Sequence, residues 1–332
     1  MRILLGLLFA LFMLSPAASA ASASRTALAS FIMHMHDEYG FEVSELERLF
    51  AGVTRSDRII ELMSRPAEKV KPWWEYRALF ISEQRIADGA EFWHVHAAAL
   101  RRAAQEYGVA PEVIIAIIGV ETSYGRIIGG YRVIDALYTL AFHYPGGNET
   151  RAAFFRAQLE HFLLFSREDG GDAYSYKGSY AGAMGMPQFM PENYRKLAVD
   201  FDADGVRNIW DDADDAIGSV ANYLAHHGWK RGRPIMSPAE ADGAVAASLA
   251  QEALKPQYTL GDLVAAGVRP RRRIAEAEDA VALYRLEGRD SDEYWLGFEN
   301  FYVISRYNPR IKYAMAVAQL AEAIRDRYTG GE

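Results

Sequence analysis

The feature that most constrains the fold is an apolar run at residues 113–120, VIIAIIGV, which directly follows Pro111 and Glu112. Proline suits the first turn of a helix because its missing N–H would have no partner there. A helix that is apolar on all sides must be covered by protein on all sides. The sequence therefore predicts a buried central helix, with the rest of the chain arranged around it.

Glu121 ends this run and shares a predicted helix face with Ile114, Ile117 and Ile118. Loss of water around a carboxyl disfavours its charged form, so we expect the pKa of Glu121 to be raised. A glutamic acid in such surroundings can protonate a leaving sugar oxygen near neutral pH, as in lysozyme. The residues alone leave a second interpretation open, namely a structural glutamate paired with an arginine.

The amino terminus has the three regions of a secretory signal peptide: Arg2, an apolar run at residues 3–14, and small residues at 18–20. We expect cleavage after Ala20, although an uncleaved membrane anchor is an alternative. The chain contains no cysteine, which excludes disulfides and the lipid attachment of a bacterial lipoprotein. We therefore expect a soluble periplasmic protein, most simply a monomer, with no stable membrane anchor after cleavage.

The net charge restricts the class of binding partner, and the hydrophobic periodicity restricts the fold class. The formal net charge of −8 argues against a nucleic-acid partner. Helical spacing dominates residues 24–106 and returns at residues 311–328, whereas short runs at 280–286 and 293–298 predict strands. The aromatic group at residues 73–76 is more typical of a core than of a sugar-stacking platform.

Four separated groups of residues carry a family resemblance, in the order of the chain. They are AIIGVET at 116–122 with YG at 124–125 and DAL at 135–137; KGSYAGAMG at 177–185 with QFMP at 188–191; AIGSVANY at 216–223; and NFYVISRYN at 300–308. Through these motifs residues 25–327 resemble the lytic murein transglycosylase B family.

The resemblance implies a mainly α (α+β) protein with a lysozyme-like core, in which Glu121 is the sole catalytic carboxylate. It implies non-hydrolytic cleavage of the MurNAc-GlcNAc β-1,4 bond in peptidoglycan glycan strands, which leaves 1,6-anhydroMurNAc ends. The N-acetyl group of the substrate would support the oxocarbenium-like transition state, so no cofactor is required. A hydrolytic lysozyme-type muramidase and a non-catalytic peptidoglycan- or calcium-binding scaffold are the alternatives.

The resemblance also implies a set of substrate-binding residues by motif position. These are Ser179, Gln188, Tyr223, Tyr302, Tyr307, Asn308 and Arg151. The amide of Gln188 can both donate and accept hydrogen bonds, which suits an N-acetyl group. The tyrosines have an alternative role in packing, and Gly146 and Gly147 lengthen the turn before Arg151 relative to the family pattern.

Residues 200–205, DFDADG, match the first half of an EF-hand loop, in which three carboxylates converge on one ion and a glycine permits a sharp turn. The expected structural calcium ligands are Asp200, Asp202, Asp204, the main-chain carbonyl of Val206, and Asp215. Asp211 stands where an EF-hand has a bidentate glutamate, and the family closes this loop further along, which here points to Asp215. A solvated Asp-rich turn without calcium is the alternative.

The predicted organisation has five parts. They are a signal peptide at 1–20, an N-terminal helical subdomain at 21–106, a lysozyme-like catalytic core at 107–235 containing the EF-hand-like loop at 200–215, a small α/β insertion at 236–298, and a C-terminal cleft motif and helix at 299–332. The sequence contains no HExxH zinc motif, no cysteine nucleophile and no G-x-S-x-G elbow, which excludes the corresponding mechanisms.

Overall fold

The computed structural model describes residues 16–65, 71–272 and 276–330. The apolar run of the predicted signal peptide, residues 3–14, lies outside the described residues. Within them the chain is mainly α, with a small antiparallel sheet late in the sequence and a final helix that returns to the core. The mainly α (α+β) class is therefore confirmed.

The helices and strands have the following bounds. The helices are α1 Pro16–Tyr39, α2 Val43–Ala51, α3 Asp57–Ser64, α4 Trp73–Phe80, α5 Glu83–Val95, α6 Ala97–Tyr107, α7 Pro111–Thr122, α8 Val133–Phe142, α9 Glu149–Glu168, α10 Pro191–Leu197, α11 Ala213–His226, α12 Gly243–Leu249, α13 Leu260–Ala265, α14 Glu299–Ser305 and α15 Ile311–Thr329. The strands are β1 Tyr131–Arg132, β2 Lys177–Gly178, β3 Met236–Glu240, β4 Tyr258–Thr259, β5 Arg269–Pro270, β6 Ala280–Glu287 and β7 Asp292–Phe298.

Helix α7 is the central helix that the apolar run predicts. Pro111 is its first residue, and every residue from 113 to 119 is buried. Helices α5, α6, α11 and α15 pack around it. Among the described residues no single helix is long and apolar enough to cross a membrane, whereas α6 and α7 pass that test only as a pair bent by 114°.

The five-stranded sheet is antiparallel, with the strand order β4-β6-β7-β3-β5. Its central strands β6 and β7 confirm the two strands predicted from the sequence. Because side chains alternate across a strand, Val281 and Leu283 of β6 lie in a small apolar cluster on one face, while Ala282 and Tyr284 join the main core on the other. The sheet therefore packs against the helical core by one face.

Asn300 of α14 attaches the sheet and the following helices to the core. Its side chain is fully buried and accepts a hydrogen bond from the Lys230 N–H at 2.8 Å. Its amide nitrogen donates to the carbonyls of Lys230 and Arg233 at 2.8 and 2.9 Å. This clamp holds the start of the 300–308 motif beside the segment that leaves α11. The domain boundaries predicted at 235/236 and 298/299 stay a prediction.

Candidate functional site

Glu121 lies in the last turn of α7, and the backbone after it reverses sharply. Ser123 and Tyr124 both have left-handed backbone angles, with φ of 51° and 62°. Such angles are strained for residues other than glycine and persist where the surroundings hold them. Here the N–H groups of Ser123 and Tyr124 donate back to the carbonyls of Gly119 and Ile118, which ends the helix directly after the carboxyl.

Two neighbouring side chains hold this turn in place. The Thr122 hydroxyl contacts the Met186 carbonyl at 2.9 Å and accepts the Gly125 N–H at 3.0 Å. The Tyr124 ring lies against Gly119, where a Cβ atom would come within 2.7 Å of it, so only glycine fits at that position. The Tyr124 hydroxyl then donates to the Arg85 carbonyl at 2.7 Å, which ties the turn to α5.

The carboxyl of Glu121 has one hydrogen-bond partner for its side chain among the described residues. Burial raises its pKa to about 7, and the hydroxyl of Tyr313, which donates to Oε1 at 2.6 Å, partly offsets that rise. No ion pair with an arginine involves Glu121 among the described residues. The raised pKa predicted from the helix face is confirmed, and the paired-glutamate interpretation does not hold for the residues that the structure describes.

A cluster of tyrosines surrounds the carboxyl. It comprises Tyr76, Tyr223, Tyr307 and Tyr313, and the charge of Glu121 acts on three of them. The rings of Tyr223 and Tyr307 lie 4.7 Å apart. Their hydroxyls donate to the carbonyls of Arg306 and Pro187, each at 2.6 Å. These two tyrosines thus use their hydroxyls to join protein segments.

Gln188 and Ser179 lie on the loop between β2 and α10. The side-chain nitrogen of Gln188 donates to the carbonyls of Ile128 and Gly185 at 3.2 and 2.9 Å, so both of its hydrogens are used within the protein. Its Oε1 is the atom left to meet a substrate. The Ser179 hydroxyl oxygen accepts the N–H groups of Ala181 and Ala183 and so shapes this loop.

The other three predicted substrate residues lie on three separate segments. Tyr302 is on α14, Asn308 is in the link between α14 and α15, and Arg151 is in the first turn of α9. The Arg151 guanidinium lies 5.5 to 5.9 Å from the ring centres of Tyr144, Phe154 and Phe155. Among the described residues no hydrogen bond or ring contact joins these three side chains to Glu121, and their roles stay predictions.

The acidic loop has the geometry of a cation site. One carboxylate oxygen from each of Asp200, Asp202 and Asp204 lies within 4.8 Å of the others. Hard oxygen ligands in this arrangement fit calcium. The backbone N–H of Val206 donates to Asp204, and its side chain is exposed, which is consistent with a main-chain ligand at that position.

Asp215 makes different contacts from Asp200, Asp202 and Asp204. It is almost fully buried, and its two oxygens accept the N–H groups of Phe201 and Asn208 at 2.5 and 2.6 Å. Burial raises its pKa. Asp215 therefore braces both ends of the loop from the first turn of α11, and its predicted role as a calcium ligand stays a prediction.

Sequence reasoning missed Tyr313 and Tyr76. Tyr313 lies on the apolar face of α15 together with Val317, Leu320 and Ile324. A tyrosine hydroxyl on a buried helix face needs a hydrogen-bond partner, so that position carried a detectable signal. Tyr76 lies in the aromatic group that the sequence assigned to the core, and nothing local distinguishes it from Trp73, which is fully buried.

The chain is similar over most of its length to known lytic transglycosylases. Residues 23–322 match the family model described as the transglycosylase SLT domain. The membrane-bound lytic murein transglycosylase B of Escherichia coli (strain K12) is 42% identical over 305 residues, which cover 89% of this chain and 81% of that protein.

Solved structures of lytic transglycosylases are also similar to this chain. The soluble lytic transglycosylase SltB1 from Pseudomonas aeruginosa superposes with a TM-score of 0.86 at 50% identity, covering 91% of this chain and 99% of that one. The Escherichia coli lytic transglycosylase Slt35 in complex with calcium superposes with a TM-score of 0.82 at 40% identity, covering 91% and 94%.

Proposed function

The chain belongs to the transglycosylase SLT domain family and is a lytic murein transglycosylase with a lysozyme-like core, and from this premise we propose that Glu121 is its single catalytic acid and base. The observation that carries the proposal is the partly buried carboxyl of Glu121, whose pKa of about 7 keeps it protonated in part at neutral pH. Within the part of the chain that the structure describes, the carboxyl is hydrogen-bonded to one side chain, the hydroxyl of Tyr313.

In the first step Glu121 acts as the acid. Tyr313 donates to Oε1, so the transferable proton resides on Oε2. That proton passes to the glycosidic oxygen between MurNAc and GlcNAc, and the C1–O bond breaks as the GlcNAc hydroxyl leaves. The N-acetyl carbonyl of MurNAc supports the positive charge that develops at C1, in place of the second carboxylate that a retaining hydrolase uses.

In the second step the Glu121 carboxylate acts as the base. It takes the proton from the C6 hydroxyl of the same MurNAc, whose oxygen bonds to C1 and closes the 1,6-anhydro ring. The carboxyl is thereby protonated again, and no water is consumed. The tyrosine rings around the site favour this outcome because apolar surface keeps competing water away from C1.

The neighbouring residues would hold the glycan in this position. We assign the N-acetyl N–H of a bound sugar to Oε1 of Gln188, since the amide nitrogen of that residue already has two backbone acceptors. Tyr223 and Tyr307 would offer ring surface to sugar rings, and Ser179, Tyr302, Asn308 and Arg151 complete the proposed glycan-binding set.

We propose calcium as a structural ion in the 200–215 loop. The convergence of Asp200, Asp202 and Asp204 supports this assignment, as does the calcium complex of Slt35. The Val206 carbonyl would be a further ligand. The ion would tie the loop together at the start of α11 and supplies no step of the reaction.

We further propose that the mature protein begins after Ala20 and acts in the periplasm as a monomer without a membrane anchor. Support comes from the signal-like residues 2–20 and from the absence of cysteine in the sequence. Mass spectrometry of the protein recovered from periplasmic extracts tests this, and a mass that retains residues 1–20 would reject it.

The decisive experiment is digestion of purified sacculi, with product masses read by mass spectrometry. We expect muropeptides with 1,6-anhydro ends, each lighter than a reducing end by one water. Reducing ends alone would replace the proposal with a lysozyme-type hydrolase.

Glu121→Gln tests the role of the carboxyl, because the amide keeps its shape but cannot cycle a proton. We expect cleavage to fall at least a thousandfold while binding to sacculi persists. The matched control is Glu112→Gln, which changes a partly buried glutamate at the other end of the same helix and should leave cleavage intact. Cleavage retained in Glu121→Gln would reject Glu121 as the acid.

A further inference from the structure

The link between α14 and α15, residues 306–310, presents two arginines beside the tyrosine cluster. The charge of Arg306 opposes the rise that burial causes in the pKa of Tyr223, and the charge of Arg310 does the same for Tyr76. Tyr76 is also influenced by the charge of Glu121. Arg310 therefore lies near Tyr76, one of the tyrosines around the catalytic carboxyl.

Arg310 is a cation without a partner among the described residues. Its side chain is exposed, and within the part of the chain that the structure describes its guanidinium makes no hydrogen bond, ion pair or ring contact. Its backbone is engaged: the N–H donates to the Asn308 carbonyl at 2.7 Å, and the carbonyl accepts the Ala314 N–H at 3.2 Å. All five guanidinium N–H donors are therefore available to a ligand.

The place of Arg310 at the start of α15 determines where it lies relative to Glu121. Arg310 caps this helix and precedes Tyr313 by three residues, which is about 4.5 Å along a helix axis. The Tyr313 hydroxyl in turn contacts Glu121. Arg310 is exposed whereas Tyr313, one turn further along α15, is buried, so the guanidinium of Arg310 stands at the rim of the site.

The substrate offers one kind of anion to such a cation. The hydroxyl and acetamido groups of the glycan are neutral, whereas the stem peptide on the lactyl group of MurNAc carries carboxylates. MurNAc is the sugar whose C1 bond is broken, so its stem peptide leaves the cleft close to Glu121. A guanidinium pairs with a carboxylate through two parallel hydrogen bonds, which a neutral sugar cannot match.

We propose that Arg310 forms a carboxylate-binding site at the rim of the cleft, which takes the stem peptide of the MurNAc being cleaved and makes the enzyme favour peptide-bearing strands. The inference rests on the proposed function for the identity of the bound sugar.

The test compares kcat/KM on glycan strands that carry stem peptides with kcat/KM on strands freed of peptide by an amidase. We expect Arg310→Gln to lower the ratio of the two values at least tenfold, mainly through KM on the peptide-bearing strands. Arg310→Glu should lower it further because it repels the carboxylate, and Arg310→Lys should restore part of it. Strands with amidated stem carboxylates should give the wild-type enzyme the low ratio of the variant.

The control is Arg101→Gln, which removes another exposed arginine, on α6, whose side chain also has no partner among the described residues. It should leave the ratio at its wild-type value. An unchanged ratio in Arg310→Gln, or an equal loss on both substrates, would overturn the proposal. Failure of the proposed function would be seen in a different measurement. Reducing ends in place of anhydro ends among the products would reject the transglycosylase reaction, and the ratio of the two kcat/KM values could still be measured.

Discussion

The pKa of Glu121 is the balance of two opposing interactions within a few ångströms. Burial removes water from the carboxyl and raises its pKa, while the Tyr313 hydroxyl stabilises the charged form and lowers it. The result of about 7 matches what a general acid needs at neutral pH. The same hydrogen bond fixes Oε1, so one side chain sets both the acidity and the orientation of the carboxyl.

Tyr313→Phe separates these two effects through the pH dependence of kcat/KM. The acid works only when protonated, so wild-type activity should fall as the pH rises above about 7. Loss of the hydroxyl removes a donor to the charged form, which raises the pKa of Glu121 and moves this decline to higher pH. At low pH the rate should be about tenfold lower, because the carboxyl is less well oriented.

Tyr39→Phe is the matched control for that experiment. The Tyr39 hydroxyl also donates to a glutamate, Glu160, at 2.5 Å, but this pair lies between α1 and α9. Its loss should leave the pH profile in place. A decline that stays at the wild-type pH in Tyr313→Phe, or moves to lower pH, would contradict the assignment.

The aspartates of the acidic loop and of the first turn of α11 fall into two kinds, which differ in what their carboxylates contact. Asp200, Asp202 and Asp204 converge at the open side of the loop, where an ion would neutralise them. Asp215 instead accepts two backbone N–H groups from inside the protein. The loop therefore has three carboxylates at its open side and a fourth that already accepts backbone hydrogen bonds, and substitution can distinguish their contributions.

Thermal melting with and without millimolar calcium tests this division. Asp202→Asn should abolish the rise in Tm that calcium produces and leave Tm in a chelator near the wild-type value. Asp215→Asn should lower the free energy of unfolding by about 2 kcal/mol in both conditions, because one buried N–H loses its acceptor. Asp211→Asn, at an exposed position of the same loop, is the control. If calcium has no effect on the wild-type Tm, the ion does not belong in this loop.

At the scale of the whole molecule, polar contacts help to hold the sheet and the last two helices to the core. Asn300 supplies three of them in one buried position, and α15 then runs back along α7. The placement of Tyr313 against Glu121 depends on this return, since the sheet separates α15 from the core in sequence. Asn300 is thus a structural residue on which the site relies.

Asn300→Asp tests that dependence by chemical denaturation. A carboxylate still accepts the Lys230 N–H but faces the carbonyls of Lys230 and Arg233 with oxygen, so we expect a loss of about 3 kcal/mol in the free energy of unfolding. Asn148→Asp is the control, because Asn148 only accepts the Arg151 N–H as the cap of α9, which aspartate does equally well. Equal stability of both variants would argue against the clamp.

Local patterns predicted a large part of this architecture. The apolar run became α7, the two alternating runs became β6 and β7, and the final helical pattern became α15. Each depends on residues within one or two turns, which a linear pattern records. The short strand β3 and the two-residue strands β4 and β5 went unpredicted, because they are strands through pairing with distant partners.

The sequence by itself determined that Glu121 would end a buried helix with a raised pKa, since its apolar neighbours lie three, four and seven residues before it. Only the tertiary structure decided which polar group meets that carboxyl, because Tyr313 lies 192 residues away and arrives through the packing of α15 on α7. It likewise decided that Asp215 braces its loop and that Gln188 keeps only its oxygen free. Those roles depend on which backbone groups lie within hydrogen-bond distance, and linear spacing does not contain that information.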